Sequence, residues 1–196
     1  MAGRKQFDVE TALDQAMKVF WERGYSETSL DLLSEATGLG RGSIYGTFGD
    51  KDELFQRALD RYATIFGAQY ESALAAHPTD PAAAIAAFFD VVLARIADPT
   101  LPGGCLVALS AANASSLSLG ARSKVAQLLE RQRQRVQASL IGGSRDATGY
   151  EDLARFVVAT NQALAVMNRA GATDGELRGI AATAVTAVAA SLGTST

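Results

Sequence analysis

The chain has 196 residues, 48% hydrophobic and 20% charged, with a net charge of −3. That is an ordinary globular balance, long enough for one domain or two small ones. A single cysteine, Cys105, and a single histidine, His77, exclude an internal disulfide, a cysteine-based metal site and a histidine-rich catalytic cluster.

The opening Met1-Ala-Gly-Arg-Lys has no apolar core of a secretory signal. The uncharged tail from Gly179 to Thr196 is too short, and in places too polar, to span a bilayer. These features predict a cytoplasmic, soluble protein with no membrane partner, no metal and no cofactor.

Alanine is abundant and β-branched runs are scarce, which favours helix throughout. The first helix is predicted from Val9 to Gly24, with Leu13, Ala16, Met17 and Phe20 recurring at helical spacing. Gly24 reads as its cap. A second, short helix is predicted to start at Thr28, with Asp31 three residues on as in a capping box. Gly38 ends it. The tight connection Gly38-Leu39-Gly40 leads into a third helix from about Arg41 to Phe48. A fourth, longer helix is expected from Lys51 to about Ala76. Pro78 and Pro81 mark the next boundary. Helices follow over about 81–97, 105–114, 119–140, 148–170 and 174–192, and no strand pattern appears. The expected fold is all-α: an N-terminal three-helix unit over residues 1–50, joined by a long helix to a C-terminal helical domain over 51–196.

Two helices of under about ten residues joined by a tight turn have the form of a helix-turn-helix. Leu33, Leu39, Ile44 and Phe48 would lock the pair, leaving Arg41, Gly42, Ser43, Tyr45 and Thr47 on the exposed face. These residue types suit duplex DNA. Arg41 can meet a phosphate or a guanine edge, and Ser43 and Thr47 can hydrogen-bond bases. Gly42 admits close backbone approach, and Tyr45 offers a hydroxyl to a phosphate. Lys51 and Thr28 sit at helix N-termini, where free N–H groups favour anions. Arg4 and Lys5 form a basic arm suited to a groove. Residues 1–62 hold 8 Lys/Arg and 11 Asp/Glu, so any basic surface must be local. Spacing alone leaves a generic helical bundle open as an alternative.

The run from Phe7 to Tyr62 resembles the TetR family of repressors. The resemblance is carried by Ala16, Phe20, Arg23-Gly24-Tyr25, Thr28-Ser29, Ala36, Gly38-Leu39, Gly42-Ser43-Ile44-Tyr45, Phe48 and Lys51-Asp52-Glu53-Leu54-Phe55. It implies a homodimer that binds a palindromic double-stranded operator and is released by a small-molecule effector in the C-terminal domain. The chain departs from the family at Gly40, often Ser, and at Gly46, often His. The first departure bears on a helix cap and the second on a phosphate contact.

In the C-terminal part, Pro102-Gly103-Gly104-Cys105-Leu106 is similar to a segment of one TetR subgroup, some of whose members sense electrophiles or oxidants through a cysteine. Cys105 follows a loop at a helix start, a position that activates thiols, although a free cysteine is more often a small apolar core residue. Candidate effector-pocket residues are Phe66, Tyr70, Phe88, Phe89, Leu93, Cys105, Leu109 and Phe156, with Asn113, Asn161 and Gln162 as polar contacts. Leu153, Leu164, Met167, Ile180, Ala184, Val185 and Val188 are expected at a dimer surface formed by the last two helices. Arg131, Arg133 and Arg135 read as a solvated face. An all-helical enzyme is the competing function class, but no constellation of acids, bases or metal ligands is visible in the sequence.

Overall fold

The computed structural model describes residues 8–142 and 150–193. Several of the helices start where the chain supplies a polar cap, a turn or a proline. α1 (Val9–Glu27) begins at Asp8, whose carboxylate accepts from the Glu10 N–H. α2 (Leu30–Thr37) begins at Ser29, whose hydroxyl accepts from the Leu32 N–H at 3.2 Å. α3 (Arg41–Phe48) follows Gly40, which has no side chain to cap it. α4 (Lys51–Ala75) begins with a complete capping box between Asp50 and Glu53, both bonds 2.9 Å. α5 (Pro81–Ala97), α6 (Leu106–Ala112), α7 (Leu119–Ile141), α8 (Tyr150–Arg169) and α9 (Asp174–Gly193) complete the order. A short 3-10 turn at Ala114–Ser116 separates α6 from α7. No strand occurs among the described residues.

The expected boundaries hold to within a few residues, except that the expected start near 148 lies outside the described residues and the end of α1 is instructive. α1 does not stop at Gly24 but resumes for a last turn to Glu27. Gly24 itself breaks the helix at φ 78°, ψ 171°, a region open essentially only to glycine. Gly24→Ala is therefore expected to cost about 1–3 kcal/mol, read as a lower Tm. The break swings Thr28 inward, where it is fully buried and its hydroxyl donates to the Gly24 carbonyl at 2.6 Å. Ser29, not Thr28, thus caps α2, and Asp31 takes no part in that cap.

α1 packs along α4, and α2 and α3 close the N-terminal unit. Phe20 and Trp21 are wholly buried at its centre. Phe20 meets Phe55 edge-on at 5.0 Å, and Trp21 meets Tyr62 and Phe66 at 4.9 and 5.5 Å. The first turns of α4 thus belong to the N-terminal core, although the sequence reading places the boundary at residue 50. At 1.5 Å per residue, α4 spans about 37 Å. It runs from α3 to the C-terminal helices, where it packs on α5 and α7. There α8 lies against α7 and α9, and α5 against α9. Phe88, Phe89 and Leu93 are buried in this core and do not line the cavity between α4, α6, α7 and α8.

The loop before α6 is clamped to α8. Gly104 adopts φ 80°, and a Cβ there would stand 3.1 Å from the Ala165 carbonyl oxygen. Its N–H donates to Asn168 Oδ1 at 2.9 Å.

α8 and α9 expose an apolar outer face. Phe156, Val166 and Met167 are each over 40% exposed. A shallow groove between the helices is bordered by Phe156, Met167, Ile180 and Ala184. Leu164 and Val188, expected at this surface, are instead fully buried in the protomer's own core, and Ala184 is nearly so. Leu153, Ile180 and Val185 are half-buried. Among the described residues, no helix is long and apolar enough to cross a membrane.

Candidate DNA interface and ligand cavity

The α2–turn–α3 unit is locked from within. Leu33, Leu39, Ile44 and Phe48 are all buried, as the periodicity predicts. Gly38 makes the turn in the left-handed region at φ 67°. With Ile44 and Phe48 inward, α3 turns Arg41, Gly42, Ser43 and Tyr45 to solvent, with Thr47 half-buried beside them. A Cβ added at Gly40, Gly42 or Gly46 would meet nothing within 4 Å, so this surface is open.

Three interactions on this face were not foreseen in the sequence. Asp31 accepts two hydrogen bonds from the Arg41 guanidinium, 3.1 Å from Nε and 2.6 Å from Nη2. That hydrogen bonding, with the carboxylate's charge, holds the Arg41 pKa above its ordinary value. Lys51 lies over the Tyr25 ring, its Nζ 4.5 Å from the centroid. Partial burial there pushes the ammonium's pKa down, and Glu27 offsets part of this. Arg57 donates to the Thr47 carbonyl at 3.4 Å, tying α4 to the end of α3. Thr28, buried and bonded to Gly24, is not presented to a phosphate. Arg4 and Lys5 lie outside the described residues.

The second site is a cavity of about 310 Å³ between α4, α6, α7 and α8. Of the expected pocket residues, Phe66, Tyr70, Cys105 and Asn161 line it. Asn113 is exposed and donates to its own helix at Leu109. Phe156 borders the outer groove instead, and Leu109 is not among the lining residues. Gln162 stands behind the wall and donates to Gln132, a lining residue, at 3.2 Å. Arg131 is exposed, as a solvated face requires, and Arg135 is half-buried, but both also line the cavity. Arg133 departs furthest from that reading: its side chain is only 16% exposed and pairs with Glu130 at 2.6 Å.

Cys105 is 4% exposed, and the Tyr62 hydroxyl donates to its Sγ at 3.2 Å. Behind Tyr62 and Tyr70 lies Arg95, itself 4% exposed. Its Nε donates to Tyr70 Oη at 3.0 Å, and its Nη1 donates to the Gly104 carbonyl. Its Nη2 has no partner. Burial pulls the Arg95 pKa down, the surrounding Tyr62, Tyr70 and Cys105 push it up, and the net direction is up. Burial also raises both phenols, so Tyr62 and Tyr70 are neutral near pH 7. Arg95 thus carries a buried positive charge with no carboxylate paired to it among the described residues.

Known proteins share both halves of this architecture. Residues 12–58 match the pattern described as bacterial regulatory proteins, tetR family, and residues 81–185 match a tetracyclin repressor-like C-terminal domain. The chain belongs to the TetR family. Among curated TetR-family relatives, the HTH-type transcriptional repressor ComR of Escherichia coli is 39% identical over 103 residues, which is 53% of this chain and 49% of ComR. The uncharacterized HTH-type regulator YezE of Bacillus subtilis is 34% identical over 111 residues, 57% of each chain. The matches thus span about half the length of these curated relatives. Solved structures match far more of the fold. A cysteine mutant of the TetR-family regulator CifR, complexed with 26-bp double-strand operator DNA, superposes with a TM-score of 0.85 at 29% identity, over 92% of this chain and 96% of CifR. A TetR regulator from Chloroflexus aurantiacus gives a TM-score of 0.79 at 26% identity, over 92% and 93%.

Proposed function

We propose that this TetR-family chain is a homodimeric transcriptional repressor, not an enzyme, acting on double-stranded operator DNA in the cytoplasm and released by a small molecule held in the C-terminal cavity. The observation that carries the reading is α3. It buries Ile44 and Phe48 and exposes Arg41, Gly42, Ser43 and Tyr45 on a surface with open space around its glycines. Such a helix enters a major groove with side chains toward the base edges. The exposed Phe156, Val166 and Met167 on α8 are the natural seat of a second copy. Two α3 helices presented one DNA turn apart, about 34–36 Å, would read an inverted repeat. Relatives bearing repressor names and the operator complex of CifR support the same assignment.

The test is fluorescence anisotropy on the duplex flanking the chain's own gene, repeated across a salt series. Each cation meeting a phosphate is expected to add about −0.9 to the slope of log affinity against log salt. Lys51→Ala should flatten the slope by roughly that amount. Absence of binding at low salt would overturn the regulator reading.

Asp31 adds a sharper expectation. Its Oδ1 holds both Nε and Nη2 of Arg41 before DNA arrives. Asp31→Asn should tighten binding to unrelated duplex roughly threefold at low salt, because an exposed pair costs little to break and its loss frees a cation. Unchanged affinity for unrelated duplex would remove Asp31 from the interface.

A second reading rests on Cys105. Its thiol lines the cavity within reach of a small electrophile that enters there. If the thiol is the sensor, Cys105→Ser abolishes release of DNA by an electrophile or oxidant. Release that persists unchanged leaves Cys105 as a packing residue.

A further inference from the structure

The charges around the cavity are unequal in sign. Arg131 lines it with no ion pair or hydrogen bond to any described residue. Arg135 lines it too, with Glu71 at 3.6 Å, beyond hydrogen-bond range. Room for that guanidinium comes from Gly67 on the facing helix, where a Cβ would stand 2.9 Å from Arg135 Nη1. The single carboxylate on the lining, Asp60, is already committed to Lys124 through bonds of 3.0 and 2.9 Å. Arg95 adds a further positive charge behind the tyrosine wall.

The wall itself is apolar and aromatic, built by Tyr62, Phe66, Tyr70 and Leu128. One polar atom inside lacks a partner. Asn161 is 1% exposed, lines the cavity, and its Oδ1 accepts no hydrogen bond. A buried acceptor of this kind is costly unless a donor reaches it.

We propose that the cavity binds a small organic acid: an apolar, preferably aromatic body against Tyr62 and Phe66, a carboxylate facing Arg131 and Arg135, and a hydroxyl or N–H donor at the far end meeting Asn161 Oδ1. The proposal rests on reading this cavity as the effector site and names its chemistry. Its volume, about 310 Å³, lies at the small end of ligand pockets. A neutral apolar ligand would leave Arg131 without a counter-charge and Arg135 with only the Glu71 carboxylate at 3.6 Å. A cationic one would face repulsion from both and from Arg95.

The test is calorimetric titration of the full DNA-free protein with three probes of one shape, para-hydroxyphenylacetate, the neutral para-hydroxyphenylethanol and the cation tyramine, and with phenylacetate as the acid that lacks the hydroxyl. The acid is expected to bind about tenfold or more tightly than the alcohol, and tyramine weakest. The double variant Arg131→Gln, Arg135→Gln should bring the acid down to the affinity of the alcohol while leaving the alcohol unchanged. Asn161→Leu should erase the preference for para-hydroxyphenylacetate over phenylacetate. Equal binding of all three probes, tighter binding of the alcohol or amine, no binding of the acid, or an acid affinity indifferent to the double variant overturns the proposal. Because no DNA is present, these outcomes are separate from failure of the regulator reading, which shows as a missing shift of the labelled duplex.

Discussion

Arg95→Ala is expected to destabilise the protein by about 2–4 kcal/mol, seen as a Tm drop of roughly 5–15 °C. The side chain is buried among Trp21, Phe66, Tyr62 and Tyr70, with its guanidinium carbon 5.8 Å from the Trp21 and Phe66 rings. Truncation removes the donor to Tyr70 Oη, orphans the Gly104 carbonyl, and opens a void against the sole tryptophan. Arg95→Met separates these effects. It keeps most of the volume and discards a buried charge whose desolvation is itself costly. Replacing buried ionic groups by apolar side chains of similar size is often close to neutral, so the methionine variant is expected within about 1 kcal/mol of the parent. Chemical denaturation followed by Trp21 fluorescence measures both. An alanine variant as stable as the parent would show that the loop before α6 does not depend on Arg95. A stable methionine variant would mean that the charge is retained for something other than folding, which agrees with an anion in the cavity beside it.

How far residue types and spacing carry the reading differs between the two sites. The helix-turn-helix was readable because its logic is local. Ile44 and Phe48 must share a face, glycines must flank the turn, and the rest of α3 is exposed by default. Even there, two adjacent hydroxyls were ambiguous. Thr28 and Ser29 are equally good caps, and only the break at Gly24 decides that Thr28 turns inward. The cavity was harder because it depends on which helix faces which. Arg131 and Arg135 are one turn apart and share a face, but nothing in their spacing says that Gly67 lies opposite. Apolar residues carry the same ambiguity at the proposed dimer face. Leu164 and Met167 are three apart on α8, and one is buried at home while the other is 41% exposed. Asn161 was one of three polar residues expected to point inward, and of these Asn113 is exposed, Gln162 bonds Gln132, and only Asn161 lines the cavity.

The second large effect concerns communication between the sites. Arg169, at the end of α8, donates to the Trp21 and Glu22 carbonyls of α1 at 3.2 and 2.7 Å, and to the Gly103 carbonyl at 3.3 Å. Those α1 carbonyls lie just before the break at Gly24, where a helix presents the negative end of its dipole and a cation is well placed. One guanidinium therefore joins three segments: α8, which brings Asn161 to the cavity; the loop that brings Cys105 to it; and the helix on which α2 rests. A ligand that shifts α8 or the loop pulls on α1 through this fork. α4 offers a second route, since it runs unbroken from Lys51 beside α3 to Tyr70 in the cavity wall. Arg169→Ala distinguishes them. The variant should bind DNA and ligand separately within about threefold of the parent, because the hydrogen bonds that the guanidinium makes are partly exposed. Its coupling, the factor by which ligand weakens DNA binding, should fall from a typical allosteric range of about 5–150-fold to nearly one. The measurement is a closed cycle of four affinities, DNA with and without the acid and the acid with and without DNA, whose two coupling factors must agree. Arg169→Lys, which cannot fork across the α1 and loop carbonyls, should fall between. If Arg169→Ala retains the parent's coupling, the signal travels along α4 and the clamp on α1 is only a fastening.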